Sequence, residues 1–174
     1  MDSGSYISYY PSPIGILEVE FVVNSIKSMK FVEGKMNEID CKGFYFDKKI
    51  RNTYNLIYDQ LNEYFTGKRN KFKVNLSYKG TKFEKKVWSC IKNIPYGEVK
   101  SYRDIACEIG KENAVRAVGR ACRKNPIIIF IPCHRVIKSN GETGGYAGKN
   151  YRKKWLVQHE KKHSCQEKKE LGGQ

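Results

Sequence analysis

The chain has 174 residues with 33 Lys and Arg against 18 Asp and Glu, a formal charge of +15. That is enough for one medium domain or two small ones, with an excess of positive charge suited to a polyanion. No apolar stretch reaches the roughly 18 residues a membrane helix needs, and no apolar secretory segment opens the sequence, so no membrane association is expected.

The six cysteines are spread thinly, without a C-x-x-C pair. The three histidines, His134, His159 and His163, have no metal-ligand spacing to any cysteine pair. This pattern fits free thiols in a reducing compartment, cytoplasmic or, in a eukaryote, nuclear, with no metal and no cofactor expected. The charge is uneven. Residues 1–77 hold 11 basic and 9 acidic side chains, whereas residues 78–165 hold 20 and 7. A nucleic-acid partner for the second segment follows, against the alternative of Lys-rich solvated faces.

The first segment reads as strands followed by a helix. Leu17, Val19, Phe21 and Val23 alternate with Glu18, Glu20 and Val22, a period of two. Asn24-Ser25 supplies a turn, and Met29 and Phe31 continue on a second strand in a hairpin or meander. Ile50, Tyr54, Ile57, Tyr58, Leu61 and Phe65 recur at helical spacing, and Gly67 closes that helix. Residues 1–77 therefore form a small structural α+β domain without evident chemistry.

Residues 78–165 form a second, mostly helical domain. Thr81-Lys82-Phe83-Glu84 is a capping box, with Phe83, Val87, Ile91 and Ile94 as the stripe behind it and Pro95-Tyr96-Gly97 as the stop. Ser101 caps the next helix, which buries Ile105, Ala106 and Ile109 and ends at Gly110. Asn113 is the expected cap of a third helix, Ala114 to Lys124, that stops before Asn125-Pro126. Two short helices joined this way predict a helix-turn-helix. The third has small residues Ala114, Ala117, Val118, Ala121 and Cys122 beside Arg116, Arg120, Arg123 and Lys124. Small side chains permit close approach to a nucleic-acid groove while the arginines reach phosphates and base edges; an ordinary core helix with a basic outer face stays open. A short strand, His134 to Ile137, a glycine-rich loop from Gly144 to Gly148 and a last helix bearing Tyr151, Trp155, Leu156 and His159 complete the domain, and residues 166–174 read as a disordered polar tail.

Chemistry concentrates at Pro132-Cys133-His134-Arg135, directly after the apolar run Ile127-Ile128-Ile129-Phe130-Ile131. A thiolate is the reactive form of cysteine, and a free thiol titrates near ~8.5, so Cys133 needs a base or a positive field. Adjacent residues on a regular strand point to opposite faces, but Pro132 argues against a central strand. A turn would bring His134 to the thiol, directly or through a water. Glu160 is the candidate third group that orients the base. Cys41, Cys90, Cys107, Cys122 and Cys165 read as small buried hydrophobes.

Ile131-Pro132-Cys133-His134-Arg135-Val136 resembles the active-site signature of the O6-alkylguanine-DNA alkyltransferases. The stretch VWSCIKNIPYGEVKSYRDIA, Ala114 to Gly119, Asn125-Pro126, Gly144-Gly145-Tyr146-Ala147-Gly148, Trp155-Leu156 and His159-Glu160 resemble the same family in the same order. The resemblance implies an α+β fold in which a sheet-plus-helix domain precedes a winged helix-turn-helix-like domain. It also implies a monomer that binds duplex DNA through the minor groove, flips out the O6-alkylguanine (or O4-alkylthymine) and takes the alkyl group irreversibly on Cys133.

By the same resemblance His134 takes the thiol proton through a water and Glu160 orients it. Asn125 braces the turn, and Tyr102 hydrogen-bonds the base and protonates it as it leaves. Arg116 fills the gap in the duplex, with Ala117, Gly119, Arg123 and Arg135 as further DNA contacts, and Val136, Tyr146, Ala147 and Lys153 line the pocket. Ala147 stands where some members carry Ser, which leaves a backbone N–H but no hydroxyl. Some members bind zinc in the N-terminal domain; here that segment has only Cys41 and no His, so no metal is expected. Two other classes share part of the pattern. A winged-helix regulator shares the basic helix-turn-helix without a use for Cys133, and a cysteine hydrolase shares Cys133 and His134 without a use for the charge.

Overall fold

The computed structural model describes residues 4–34, 47–146 and 148–171. The chain divides into two compact units, Met1–Lys79 and Gly80–Gln174. The division falls at Lys79–Gly80, two residues beyond the expected 77/78, and the Ser77 N–H bonds to the Ile26 carbonyl (2.8 Å) within the first unit.

In the first unit β1 (Tyr6–Ser12), β2 (Gly15–Val22) and β3 (Ser25–Val32) form an antiparallel meander, and β4 (Asn75–Leu76) adds in parallel to β3. Leu17, Val19 and Phe21 are buried as their alternation predicts. Val23 is instead exposed: β2 ends at Val22, its register shifts at Glu20/Phe21, and Asn24 turns the chain with φ 61°. β1 was not anticipated, because Tyr6-Ile7-Ser8-Tyr9-Tyr10 has no polar–apolar alternation and buries only Tyr10 fully. Helix α1 (Lys48–Phe65) is capped by Asp47, which accepts from the Lys49 and Ile50 N–H groups (2.8 and 3.0 Å). It buries Ile50, Ile57, Leu61 and Phe65, and Gly67 follows at φ 76°.

In the second unit α2 (Lys82–Lys92) opens with the expected capping box, and Val87, Trp88 and Ile91 face inwards. β5 (Lys100–Ser101) leads into α3 (Tyr102–Glu108), where Ser101 and Asp104 form a second capping box. The next helix begins later than its sequence predicts. A single 3₁₀ turn, Glu112–Ala114, occupies the expected cap, and α4 (Val115–Arg123) starts behind it without a side-chain cap, so Asn113 does not cap it. Trp88 Nε1 donates to the Ala121 carbonyl (2.8 Å), which ties α2 to α4 at the centre of the unit.

The segment expected as a strand from His134 is split. Cys133–Arg135 is one 3₁₀ turn, and only Val136–Ile137 (β6) is extended, pairing in parallel with β5. α5 runs Asn150–Leu171, past the point where a disordered tail was expected. Glu167, Lys168, Lys169 and Glu170 are good helix formers and extend the preceding turns. No helix among the described residues is long and apolar enough to cross a membrane. A sheet-and-helix unit followed by a mostly helical unit is the α+β organisation expected.

Candidate active site

The apolar run 127–131 is buried throughout but is not a strand. It folds back on itself, with Phe130 N–H on the Ile128 carbonyl and Ile131 N–H on the Ile127 carbonyl (both 2.9 Å). Ile129 sits at φ 72°, a left-handed conformation costly for a β-branched residue. The reversal delivers Pro132 and Cys133 back towards Asn125. Asn125, itself buried, satisfies three groups of the turn. Nδ2 donates to the Ile131 carbonyl (2.7 Å) and to Cys133 Sγ (2.9 Å), and Oδ1 accepts from Ile127 N–H (3.0 Å). Cys133 is 1% exposed. Burial pushes its thiol up to about 11, against the Asn125 hydrogen bond and the Lys153 charge, which pull the other way. At neutral pH the thiol therefore stays protonated until a base removes the proton.

The 3₁₀ turn puts His134 and Arg135 onto one carboxylate. His134 Nε2 lies 2.7 Å from Glu160 Oε1. Arg135 holds the same group by a fork, Nε to Oε2 (2.8 Å) and Nη2 to Oε1 (3.0 Å), and its Nη1 donates to the Ile94 carbonyl (2.6 Å). The Gly97 N–H, from a third residue, adds a fourth donor to this carboxylate, at Oε2 (3.3 Å). Burial pushes the Glu160 carboxyl up, but His134 and Arg135 outweigh it and hold the group well below the usual carboxylate range. Burial keeps the His134 imidazole below its usual value, with Glu160 opposing. The hydrogen-bond pattern assigns the His134 proton to Nε2, so Nδ1 is a bare acceptor. That Nδ1 is buried and meets no protein hydrogen-bond partner, and neither does the buried Tyr146 hydroxyl.

On the other side, Lys153 is fully buried on α5. Its Nζ donates to the Val136 carbonyl (2.5 Å) and the Tyr102 hydroxyl (3.3 Å) and lies 5.5 Å from the Tyr102 ring centre. Burial brings its ammonium down to about 8, while the neighbouring thiols oppose that shift. The Tyr102 hydroxyl donates to the Gly145 carbonyl (3.3 Å), and burial pushes its own ionisation up to about 12. Glycine is needed at 144, where φ is 63° and a Cβ would come 3.0 Å from that hydroxyl. Tyr102 is thus a neutral, proton-bearing phenol held between the glycine loop and α5.

Above this core lies a cleft of about 330 Å³ bounded by Tyr102, Arg116, Gly119, Arg120, Arg123 and Gly145. α4 buries Val118, Ala121 and Cys122 and leaves Arg116, Arg120 and Arg123 exposed, so the basic face borders the cleft. The Tyr102 ring lies against α4 at Gly119, where a Cβ would meet it at an ordinary contact distance of 3.9 Å. Lys124 is drawn aside by Glu84 (3.0 Å).

Cys133, His134, Glu160 and Asn125 thus meet in one buried cluster, with Tyr102, Lys153 and Val136 adjoining it and Tyr146 in its electrostatic reach. Arg116, Ala117, Gly119 and Arg123 belong to α4. Arg135 is a correction: it was expected to contact DNA, but it is 6% exposed with its guanidinium spent on Glu160 and Ile94. Its place directly after Cys133 and His134 disguised it as a surface charge. Ala147 and Cys41 lie outside the described residues. Two further contributors went unread. Gly97, at φ 79°, offers its N–H to Glu160, and a Cβ there would fall 2.3 Å from Ser164 Oγ. The Ile129 reversal is the other, and a positive φ at isoleucine leaves no trace in sequence.

Residues 82–162 match the family model described as 6-O-methylguanine DNA methyltransferase, DNA binding domain. The constitutive methylated-DNA–protein-cysteine methyltransferase of Bacillus subtilis is 55% identical over 89 residues, 51% of this chain and 54% of its own length, so the match spans about half of that relative. The methylated-DNA–protein-cysteine methyltransferase of Methanosarcina barkeri is 42% identical over 143 residues, 82% of this chain and 88% of its own. The crystal structure of Mycobacterium tuberculosis OGT in complex with DNA superposes with a TM-score of 0.77 at 36% identity, covering 90% of this chain and 93% of that one. With a matched DNA-binding domain and a relative aligned along most of both chains, the chain belongs to the methylated-DNA–protein-cysteine methyltransferase family.

Proposed function

We propose that this protein repairs O6-alkylguanine in duplex DNA by moving the alkyl group onto its own Cys133, once per molecule. One observation carries the reading: a buried thiol and an imidazole share one turn, the imidazole has its Nε2 on Glu160, and its Nδ1 is bare. The target atom lies inside the base stack, so the nucleotide is flipped out of the duplex. The thiol proton passes through a water to His134 Nδ1, and Glu160 steadies the imidazolium. Sγ attacks the alkyl carbon in line, the C–O6 bond breaks, and the departing guanine takes a proton from the Tyr102 hydroxyl. A thioether is stable to water, so the sulfur is not regenerated.

The supporting groups divide by position. Asn125 aims Sγ and braces the turn. Lys153 steadies Tyr102, and Val136 and Tyr146 line the pocket. The exposed face of α4 meets the minor groove, with Arg116 filling the gap left by the flipped nucleotide. Ala117 and Gly119 keep the helix slim, and Arg123 pairs with phosphate. One chain carries every group the step uses, so the protein acts as a monomer, and the same displacement applies to O4-alkylthymine. The test is intact-mass measurement after incubation with an oligonucleotide duplex carrying O6-methylguanine. The expected result is one methyl replacing one hydrogen, mapped to Cys133; an unchanged mass would overturn the reading.

Arg116→Ala separates DNA handling from chemistry. Losing the inserted side chain restores an unstacking cost of a few kcal/mol, so transfer from duplex DNA should slow by on the order of 10- to 100-fold. Transfer from free O6-benzylguanine should change little, since no stack is opened. Equal losses on both substrates would remove Arg116 from the intercalating role.

A further inference from the structure

Arg135 is the last residue of the Pro132-Cys133-His134-Arg135 motif, yet DNA contact does not explain it. Its guanidinium makes two bonds to Glu160 and one to the Ile94 carbonyl, and it lies 5.7 Å from the centre of the Tyr96 ring. With the Gly97 N–H, these contacts leave Glu160 Oε1 shared between His134 and Arg135, and Oε2 shared between Arg135 and Gly97. We propose that Arg135 is a positioning residue that keeps His134 uncharged in the resting protein, by satisfying Glu160 before the imidazole has to. The inference deepens the functional reading and rests on His134 being the base for Cys133.

The argument is one of charge count in a dry site. Glu160 is 1% exposed and cannot stay ionised without a counter-charge within reach. Two groups beside it can supply one: a permanent guanidinium, or an imidazole that first picks up a proton. With Arg135 in place the carboxylate is already balanced, so an imidazolium at His134 would be a surplus positive charge. Without it, the His134–Glu160 pair would draw one proton from solvent at neutral pH. Nδ1 would then be occupied, and no acceptor would remain for the thiol proton.

The other groups facing the pair act in known directions. From the same turn, Cys133 is neutral at rest. From α5, Lys153 adds positive charge that disfavours an imidazolium, as Arg135 does. His159 lies next to Glu160 in sequence on α5. From the glycine loop, Tyr146 stays a neutral phenol because burial holds its ionisation well above the usual range. From the turn after α2 come Tyr96, facing the guanidinium, and the Gly97 N–H. Among them Arg135 alone bonds directly to both carboxylate oxygens, so its charge is the one whose removal moves His134 most.

The experiment is the single-turnover rate of benzyl transfer from free O6-benzylguanine to the full chain, followed by intact mass from about pH 5.5 to about pH 9. In Arg135→Met the acidic limb of the rate profile should move up by at least about one pH unit. The rate near neutrality then falls about tenfold or more and recovers towards the parent value in alkali. Arg135→Lys keeps the charge without the fork and should hold the limb within about 0.3 unit of the parent while lowering the rate modestly at all pH values. A loss of the same factor at every pH in Arg135→Met would mean that the arginine only holds the fold, and would overturn the inference. The parent chain gives a second reading that needs no variant to fold. Its His134 ring nitrogens, followed by NMR, should show a neutral imidazole with Nδ1 unprotonated at neutral pH, and an imidazolium there would overturn the inference outright. Should the parent gain no benzyl group at any pH, the functional reading itself fails, which is a different result from parallel profiles in a chain that transfers.

Discussion

Cys133→Ala is expected to end alkyl transfer completely while leaving lesion binding and folding nearly intact. The sulfur is the atom that forms the new bond, and no neighbour can replace it. Cys122 is buried on α4, and burial raises its thiol far above the usual range, with the Cys133 charge adding to that. Cys90 donates to Glu108 Oε2 (3.0 Å), and burial followed by that carboxylate pushes its thiol up to about 11. Cys107 and Cys165 are exposed, and neither borders the cleft. The structural cost is small because Asn125 Nδ2 keeps its stronger bond to the Ile131 carbonyl when Sγ is gone. Losing one buried heavy atom costs about 1 kcal/mol, within what a folded domain tolerates. Intact mass after exposure to methylated duplex, together with a gel-shift titration, tests both halves. A methyl on any other cysteine would show that the acceptor has been misassigned.

The contrast between the two sides of this site shows what a sequence yields. Cys133, His134 and Glu160 could be listed from the residues themselves, as a thiol after an apolar run, a neighbouring base and a carboxylate to orient it; the role of Asn125 came only with the family resemblance. Leu17, Val19 and Phe21, the capping box at Thr81 and the cap at Ser101 were legible because alternation and capping are local physics. Position relative to solvent was harder. The last helix reads as bearing Tyr151, Trp155, Leu156 and His159; its buried face carries Arg152, Lys153, His159 and Glu160 around Leu156, whereas Tyr151 is 55% exposed. Those buried charges are compensated by groups distant in sequence, such as the Val136 carbonyl under Lys153 and the guanidinium of Arg135 under Glu160. Arg135 was misjudged for the same reason: nothing within a few residues of it reveals a carboxylate 25 positions away. The chain reversal at Ile129 and the N–H of Gly97 are backbone features and left no side-chain signal at all.

Glu160 is where stability and chemistry meet, and Glu160→Ala should be the most destabilising single substitution in the second unit. It strands the guanidinium of Arg135, which is 6% exposed, and removes the partner of His134 Nε2. Removing one member of a buried ion pair costs about 3–5 kcal/mol, a large share of a domain's whole stability. Glu160→Gln keeps the shape and one acceptor, so it should lie between the parent and Glu160→Ala in stability, yet lose alkyl transfer because a neutral amide cannot steady an imidazolium.

The parent's dependence on pH follows from the directions of the shifts. The Glu160 carboxyl titrates lower folded than unfolded, so its stabilisation is complete above about 4.3, the unfolded value, and fades as acid drives the pH down through the folded one. His134 is likewise held below its unfolded value of about 6.5, so the unfolded chain takes up that proton first and stability starts to decline below there. Both effects make the second unit acid-labile. Both tryptophans, Trp88 and Trp155, belong to that unit, so urea unfolding followed by their fluorescence reports on it alone. The stability gap between parent and Glu160→Gln should be widest near neutrality and shrink below about pH 4.3, where the unfolded parent's carboxyl takes up a proton that the folded one still refuses. A gap that stays constant across that range, or is under about 1 kcal/mol at neutral pH, would mean that the Glu160 carboxylate does not hold this site together.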